Sequence, residues 1–217
     1  MSDNAAYAGA PISLLLTDPM IFPLVPATAR APVKLLWSLN NRLAEMAVSG
    51  KEPALRQIRL RWWADQLALT ENGTVPHEPL IAEVAAMLVP LLGAAPLAGL
   101  AEAWIDAAAP DPDMPPAHDH GARLFALTAS VLGAAQSPAL AEVGRLWAAV
   151  TGLLEQEGDN AGAWHELAMR TRTLSLASLP RPLATLAALS RSVARRHGVR
   201  HWRREQLLVL RVGLFGR

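Results

Sequence analysis

Apolar positions recur along this chain at helical spacing and almost nowhere in strict alternation. Ala and Leu dominate, runs of β-branched residues are missing, and proline or glycine punctuates the apolar stretches. This pattern predicts an all-α protein. Helices are expected near 29–49, 53–72, 78–93, 96–108, 117–134, 138–156, 161–175, 181–196 and 202–213. APDPDMPP (109–116) is the clearest loop, because its prolines exclude regular structure. EQEGDNAGAW (155–164) is a second break. Apolar patterning continues on both sides of each, so neither reads as an interdomain linker. Residues 1–217 are expected to form one helical domain, without internal repeats.

Two segments qualify this picture. The most apolar window, Ile81 to Leu100, contains Glu83, Pro90, Gly93 and Pro96. The prolines would break a spanning helix, so buried helix pieces are expected there. IRLRWWADQL (58–67) lies in the helix that Pro53 opens. Leu55, Ile58, Trp62 and Leu69 form one apolar strip, and Leu60, Trp63 and Leu67 widen it. Adjacent tryptophans point about 100° apart, so Trp62 and Trp63 are both expected to be buried, against different helices. A cofactor box is the alternative for the pair. Arg61 and Asp65, four apart, can pair, which is worth only tenths of a kcal/mol if exposed. Arg59 lies on a neighbouring strip, where a buried arginine would need an anionic partner such as diphosphate.

Composition narrows the function. Hydrophobic residues make up 52%, enough for a sizeable core. A formal charge of +1 gives no electrostatic case for nucleic acid. Cysteine is absent, which excludes disulfides, thiolate zinc sites and cysteine nucleophiles and makes the cytoplasm the simpler home. The opening MSDNAAYAGAPISLLLTDPM has no positive charge before its apolar run, so a secretory signal is not expected. G-x-G-x-x-G, P-loop and G-x-S-x-G patterns are missing, which leaves nucleotide cofactors and serine-hydrolase chemistry without support. His118, Asp119 and His120 are consecutive and point in different directions, which is awkward for a shared metal. Asp119 suits a helix first turn. Arg191, Arg195, Arg196, Arg200, Arg203 and Arg204 gather beside Trp202. They are either a solvated face or a contact for anionic lipid or an acidic partner.

Four stretches, in order, resemble the squalene/phytoene synthase family, and most of all its short bacterial branch related to mitochondrial complex I assembly factors. PVKLLWSLNNRLAEMAV (32–48) is similar to the helix that holds the first aspartate-rich motif. LRQIRLRWWADQL (55–67) is similar to the I-R-L-x-W-W-R-D/E-A-L helix. LAGLAEAWIDAA (97–108) looks like the helix with an acidic end, and HDHGARLFALTASVLG (118–133) like Y-A-x-x-T-A-G-x-L-x-x-L-A. The tail segments LPRPLATLAALSRSVARR and LLVLRVGLFGR also fit this branch. The resemblance implies a single helical bundle of the isoprenoid synthase type.

Active members hold magnesium with carboxylates on two facing helices, because diphosphate leaves only when its charge is neutralised. Here the first motif falls on Ala44, Glu45 and Val48, one acid of three. Asn40 and Asn41, a turn earlier, are neutral amides. Where the second motif is expected, Glu155, Glu157 and Asp159 lie in a glycine-broken stretch. His118 takes the place of the motif tyrosine, and the chain's one tyrosine is Tyr7. Asp106 and Arg123 remain as polar members of the implied cavity. Asn40, Asn41, Glu45, Arg59, Asp106, His118 and Arg123 are therefore the expected cavity-lining residues. The resemblance implies a protein without metal or cofactor that binds an isoprenoid or lipid, or serves in assembly. It would be cytoplasmic, or peripheral at the inner face of a membrane, with lipid or protein partners. The alternative is a working prenyl-diphosphate transferase, joining substrates head to head with Mg²⁺ on unconventional ligands.

Overall fold

A computed structural model describes residues 11–50, 52–73, 77–108, 118–158, 160–176 and 178–215. Among these every regular element is helical: α1 (Arg30–Val48), α2 (Pro53–Leu69), α3 (Pro79–Met87), α4 (Val89–Leu92), α5 (Ala94–Ala108), α6 (Asp119–Val131), α7 (Pro138–Glu155), α8 (Ala161–Arg170), α9 (Arg181–Ala194) and α10 (Trp202–Phe215). The all-α expectation holds, and the helix spans follow the apolar periodicity closely. The expected loop at 109–116 lies outside the described residues. The chain divides into two compact units, Pro26–Arg145 and Met1–Val25 with Leu146–Arg217, so α7 carries the boundary.

In the unit Pro26–Arg145, α5 packs against α1, α2 and α6. Its small residues Ala98, Gly99, Ala101 and Ala103 are buried between Leu97, Leu100 and Ile105, which lets the α2 backbone come close. On α1 the buried positions Val33, Leu36, Trp37, Leu39, Asn40, Leu43, Met46 and Ala47 recur every three or four residues. Trp37 is fully enclosed, and its Nε1–H donates to Thr128 Oγ1 at 3.2 Å. That bond supplies the partner a buried indole needs.

The apolar window 81–100 is broken, as its composition predicts. α3 ends at Met87, and Gly93 takes a left-handed φ of 79° between α4 and α5. Pro90 and Pro96 do not end helices here. They sit in the first turns of α4 and α5, where a missing N–H costs little. Glu78 caps α3 by accepting from the Ile81 amide at 2.8 Å, and Glu71 accepts from the Ala94 amide that opens α5. Among the described residues no helix is long and apolar enough to cross a membrane.

In the other unit, α9 is buried from Pro182 through Ser190, as expected for a helix with small or apolar residues all round. α8 and α10 pack on it. Residues 11–25 belong to this unit and are fixed by their polar atoms. The Asp18 carboxylate accepts from the Ser13 and Met20 amides, and Trp147 Nε1–H donates to the Leu14 carbonyl at 2.6 Å.

Candidate functional site

The seven residues expected to line a cavity all fall in the unit Pro26–Arg145, but with different environments. Only Asn40 is buried; it accepts from Trp104 Nε1–H at 3.0 Å. Asn41 and His118 are half-buried. Glu45, Arg59, Asp106 and Arg123 are exposed. Glu45 engages Arg42 on its own helix at 3.2 Å, both side chains in water. Arg123 lies over Gly99, where a Cβ would meet its guanidinium at 2.7 Å. Ala44 is half-buried and Val48 is exposed, so the segment expected to correspond to the first aspartate-rich motif presents mostly solvent-facing side chains. Among the described residues no three His, Asp or Glu side chains gather around one point.

The structure joins two of the expected residues, Asn40 and His118, to Trp104 and His120, which were not among them. Trp104, held by Asn40, stacks on His120 with ring centroids 3.9 Å apart and 27° between planes. His118 meets His120 edge-on at 6.2 Å. The His120 pKa is lowered to about 4, chiefly by burial and then by the neighbouring His118, with Asp119 opposing both. Nδ1 of His120 is buried without a partner among the described residues. A neutral, weakly basic imidazole packed as an aromatic ring does not supply positive charge to a diphosphate. Asp119 occupies the first turn of α6, as expected, and pairs with Arg145 at 2.8 Å. The signal for His120 was present: His120, Leu124, Leu127 and Val131 share helical spacing.

Around α2 the expected burial of both tryptophans is overturned. Trp63 is 4% exposed, but Trp62 is 45% exposed. Leu60, Trp63, Ala64 and Leu67 make the buried face, while Leu55, Ile58, Trp62 and Leu69 face outward. The helix packs on one side only, against α5 above all. Arg61 does not bond Asp65. It reaches across to Glu102 of α5 at 3.7 Å, because α5 lies on that flank.

The arginine cluster divides in the same way. Arg200 is internal: its guanidinium donates to both carboxylate oxygens of Glu205 and to the Ile12 carbonyl. Arg195 donates to Thr171 Oγ1 at 3.1 Å, and Arg191 is half-buried. Arg203 and Arg204 remain exposed on α10, joined there by Arg211.

α10 is apolar on two opposite sides. Val209 and Val212 are buried with Glu205 on the inner side. On the outer side Leu207 is 67% exposed, Leu210 53%, Leu214 69% and Phe215 70%. At 100° per residue, Arg203, Leu207, Leu210 and Leu214 share one strip, and Arg204 and Arg211 lie along its edge beside Phe215. Glu205 is the only acid of this helix, and it is turned inward. A basic, leucine-rich outer face is suited to an interface that is anionic and apolar at once. Comparison with protein-family models, characterised proteins and solved structures returned no match for this chain.

Proposed function

We propose that this chain is a non-catalytic helical protein of squalene/phytoene synthase ancestry that works by binding lipid, docking peripherally on anionic membranes through α10. The observation that carries the reading is the outer face of α10, with Leu207, Leu210, Leu214 and Phe215 exposed beside Arg203, Arg204 and Arg211. Contiguous exposed apolar side chains mark interaction surfaces. The flanking arginines favour lipid phosphate over a neutral protein partner. The working side is the cytoplasmic leaflet, where anionic lipid is concentrated.

Prenyl transfer is the weaker reading. Glu45 is the single acid of the first motif, and it is exposed and engaged with Arg42. Two assays divide the readings. Turnover of farnesyl or geranylgeranyl diphosphate that needs magnesium and is lost on chelation contradicts a non-catalytic protein. Binding to phosphatidylglycerol vesicles, and not to phosphatidylcholine vesicles, is the result expected here.

A further inference from the structure

A second basic feature lies in the unit containing α8 and α9, lined by none of the residues of the outer strip of α10. An open hollow of about 510 Å³ lies against the C-terminal half of α8, which ends at Arg170, and the residues that follow α9, which ends at Ala194. His165, Ala168, Met169, Arg172, Arg195 and His197 line it. No carboxylate does; Glu166, the acid next to His165, is exposed and is not part of the lining. The volume is within the range of small-ligand sites.

The lining is held in place from several directions. Thr171 Oγ1 donates to the Ala168 carbonyl at 2.7 Å and accepts from Arg195 Nε at 3.1 Å. This bond fixes one edge of the Arg195 guanidinium, and the rest of that side chain borders the hollow. Beyond α9 the chain turns back sharply. His197 N–H donates to the Ala194 carbonyl, and Gly198 N–H donates to the Val193 carbonyl at 3.1 Å. His197 sits in the left-handed region, at φ 53°. This is the position after a helix that glycine usually fills, and a side chain there is strained. Gly198 follows because a Cβ would come within 2.9 Å of the Trp164 indole. Packing Trp164 on Gly198 sets His197 beside His165, with ring centroids 6.2 Å apart.

The helix ends do not neutralise these cations. Each C-terminus carries about −0.5 charge. Arg170, Arg172, Arg195 and Arg196 together bring four positive charges to the two ends. Arg191, a turn earlier on α9, has its pKa lowered by burial and then by the charges of Arg195 and Arg211. Glu166 is the one acid of α8 and α9 has none, so the cations are in excess around these helix ends.

We propose that this hollow is a phosphomonoester site, in which Arg172, Arg195, His165 and His197 donate to the oxygens of one tetrahedral dianion. Guanidinium forks match phosphate geometry and hold their charge. The phosphate belongs either to a free metabolite or to a lipid headgroup such as phosphatidate. The proposal stands apart from the α10 reading.

The test uses the full chain in phosphate-free buffer. Inorganic phosphate is titrated in by calorimetry, and the imidazole signals of His165 and His197 are followed by NMR. Phosphatidate vesicles form the second arm, with acetate as the control anion. Arg172 makes no side-chain hydrogen bond among the described residues. Arg172→Glu should leave the helical CD spectrum intact and weaken phosphate binding at least about tenfold, the loss of one charge-assisted bond. His197→Gly gives a second readout: relieving the left-handed strain should raise Tm while phosphate affinity falls. Saturation by inorganic phosphate identifies a free ligand. Arg172-dependent binding of phosphatidate vesicles alone identifies a headgroup. The proposal is overturned if neither ligand shifts both histidine signals. It is also overturned if both variants bind like the wild type, or if acetate binds as well as phosphate.

Discussion

Trp104 and His120 stack face to face, 3.9 Å between centroids, and Asn40 holds the indole from its other edge. The contact joins α1, α5 and α6 through one polar atom and one ring pair. It also keeps the imidazole dry, which burial translates into a pKa of about 4 against the ordinary 6.5.

That shift has a sign. Above pH 6.5 His120 is neutral in both folded and unfolded chains, and it imposes no pH dependence. Between 6.5 and about 4 the unfolded chain takes up a proton that the folded chain refuses, so stability falls as pH falls. Below about 4 both forms are protonated and this contribution levels off. The whole loss is on the order of 3 kcal/mol, from 1.36 kcal/mol per pKa unit. Urea denaturation of wild type and His120→Phe at pH 7.5 and pH 4.5 checks it. The variant keeps the stack and should lose less stability on acidification; equal losses would assign the acid sensitivity to other groups.

The adjacent tryptophans of α2 should behave differently. Trp63→Ala empties a buried site and should cost about 3–5 kcal/mol. Trp62→Ala removes a ring that is nearly half in water and should cost less than half of that. Equal destabilisation in thermal melts would mean that Trp62 is covered in solution.

Periodicity reached the helices but not their orientation. α2 offers two apolar strips, and nothing in the spacing tells which one meets α5. The strip with Leu60, Ala64 and Leu67 won, with Ala64 allowing a close approach that Ile58 or Trp62 would block. In the 81–100 window Gly93 marks the break before α5, and Pro90 and Pro96 fall in first turns, because those residues act through local backbone geometry. The arginines near 200 read as one cluster because sequence does not show that Glu205 and the Ile12 carbonyl take Arg200 inward. His120 was legible as a buried position, but its partner Trp104 comes from another helix. The exposed residues expected around a cavity rested on resemblance, and their placement depends on contacts between helices that spacing alone does not specify.

Gly144 marks the tightest approach of α7 to α6. A Cβ there would press on the Gly121 carbonyl oxygen and lie 2.8 Å from Ala122 Cα, all backbone atoms that do not yield. Gly144→Ala should therefore destabilise by about 1–3 kcal/mol, although alanine favours helices. A chemical melt that shows stabilisation would contradict this packing.

Glu205 is buried between Arg200 and the Ile12 amide. Glu205→Ala would leave a guanidinium at 18% side-chain exposure without its carboxylate. Losing one partner of a buried pair costs about 3–5 kcal/mol. Faster proteolysis near Ile12 should accompany the loss, because the same carboxylate anchors that amide. Unchanged stability and cleavage would show that the segment is held by other contacts.

Vesicle co-sedimentation of wild type against a Leu210→Glu, Leu214→Glu double variant tests the membrane reading most directly. A leucine moved fully from water into an apolar phase gains ~1.5–3 kcal/mol, and an arginine at an anionic surface about 1 kcal/mol. The apolar and ionic terms are thus comparable, and only the ionic one is screened by salt. The wild type should bind phosphatidylglycerol vesicles at low salt, bind more weakly at high salt, and ignore phosphatidylcholine; the double variant, still folded by CD, should not sediment. Binding of the variant equal to wild type, or no preference for anionic lipid, would contradict α10 as the docking face.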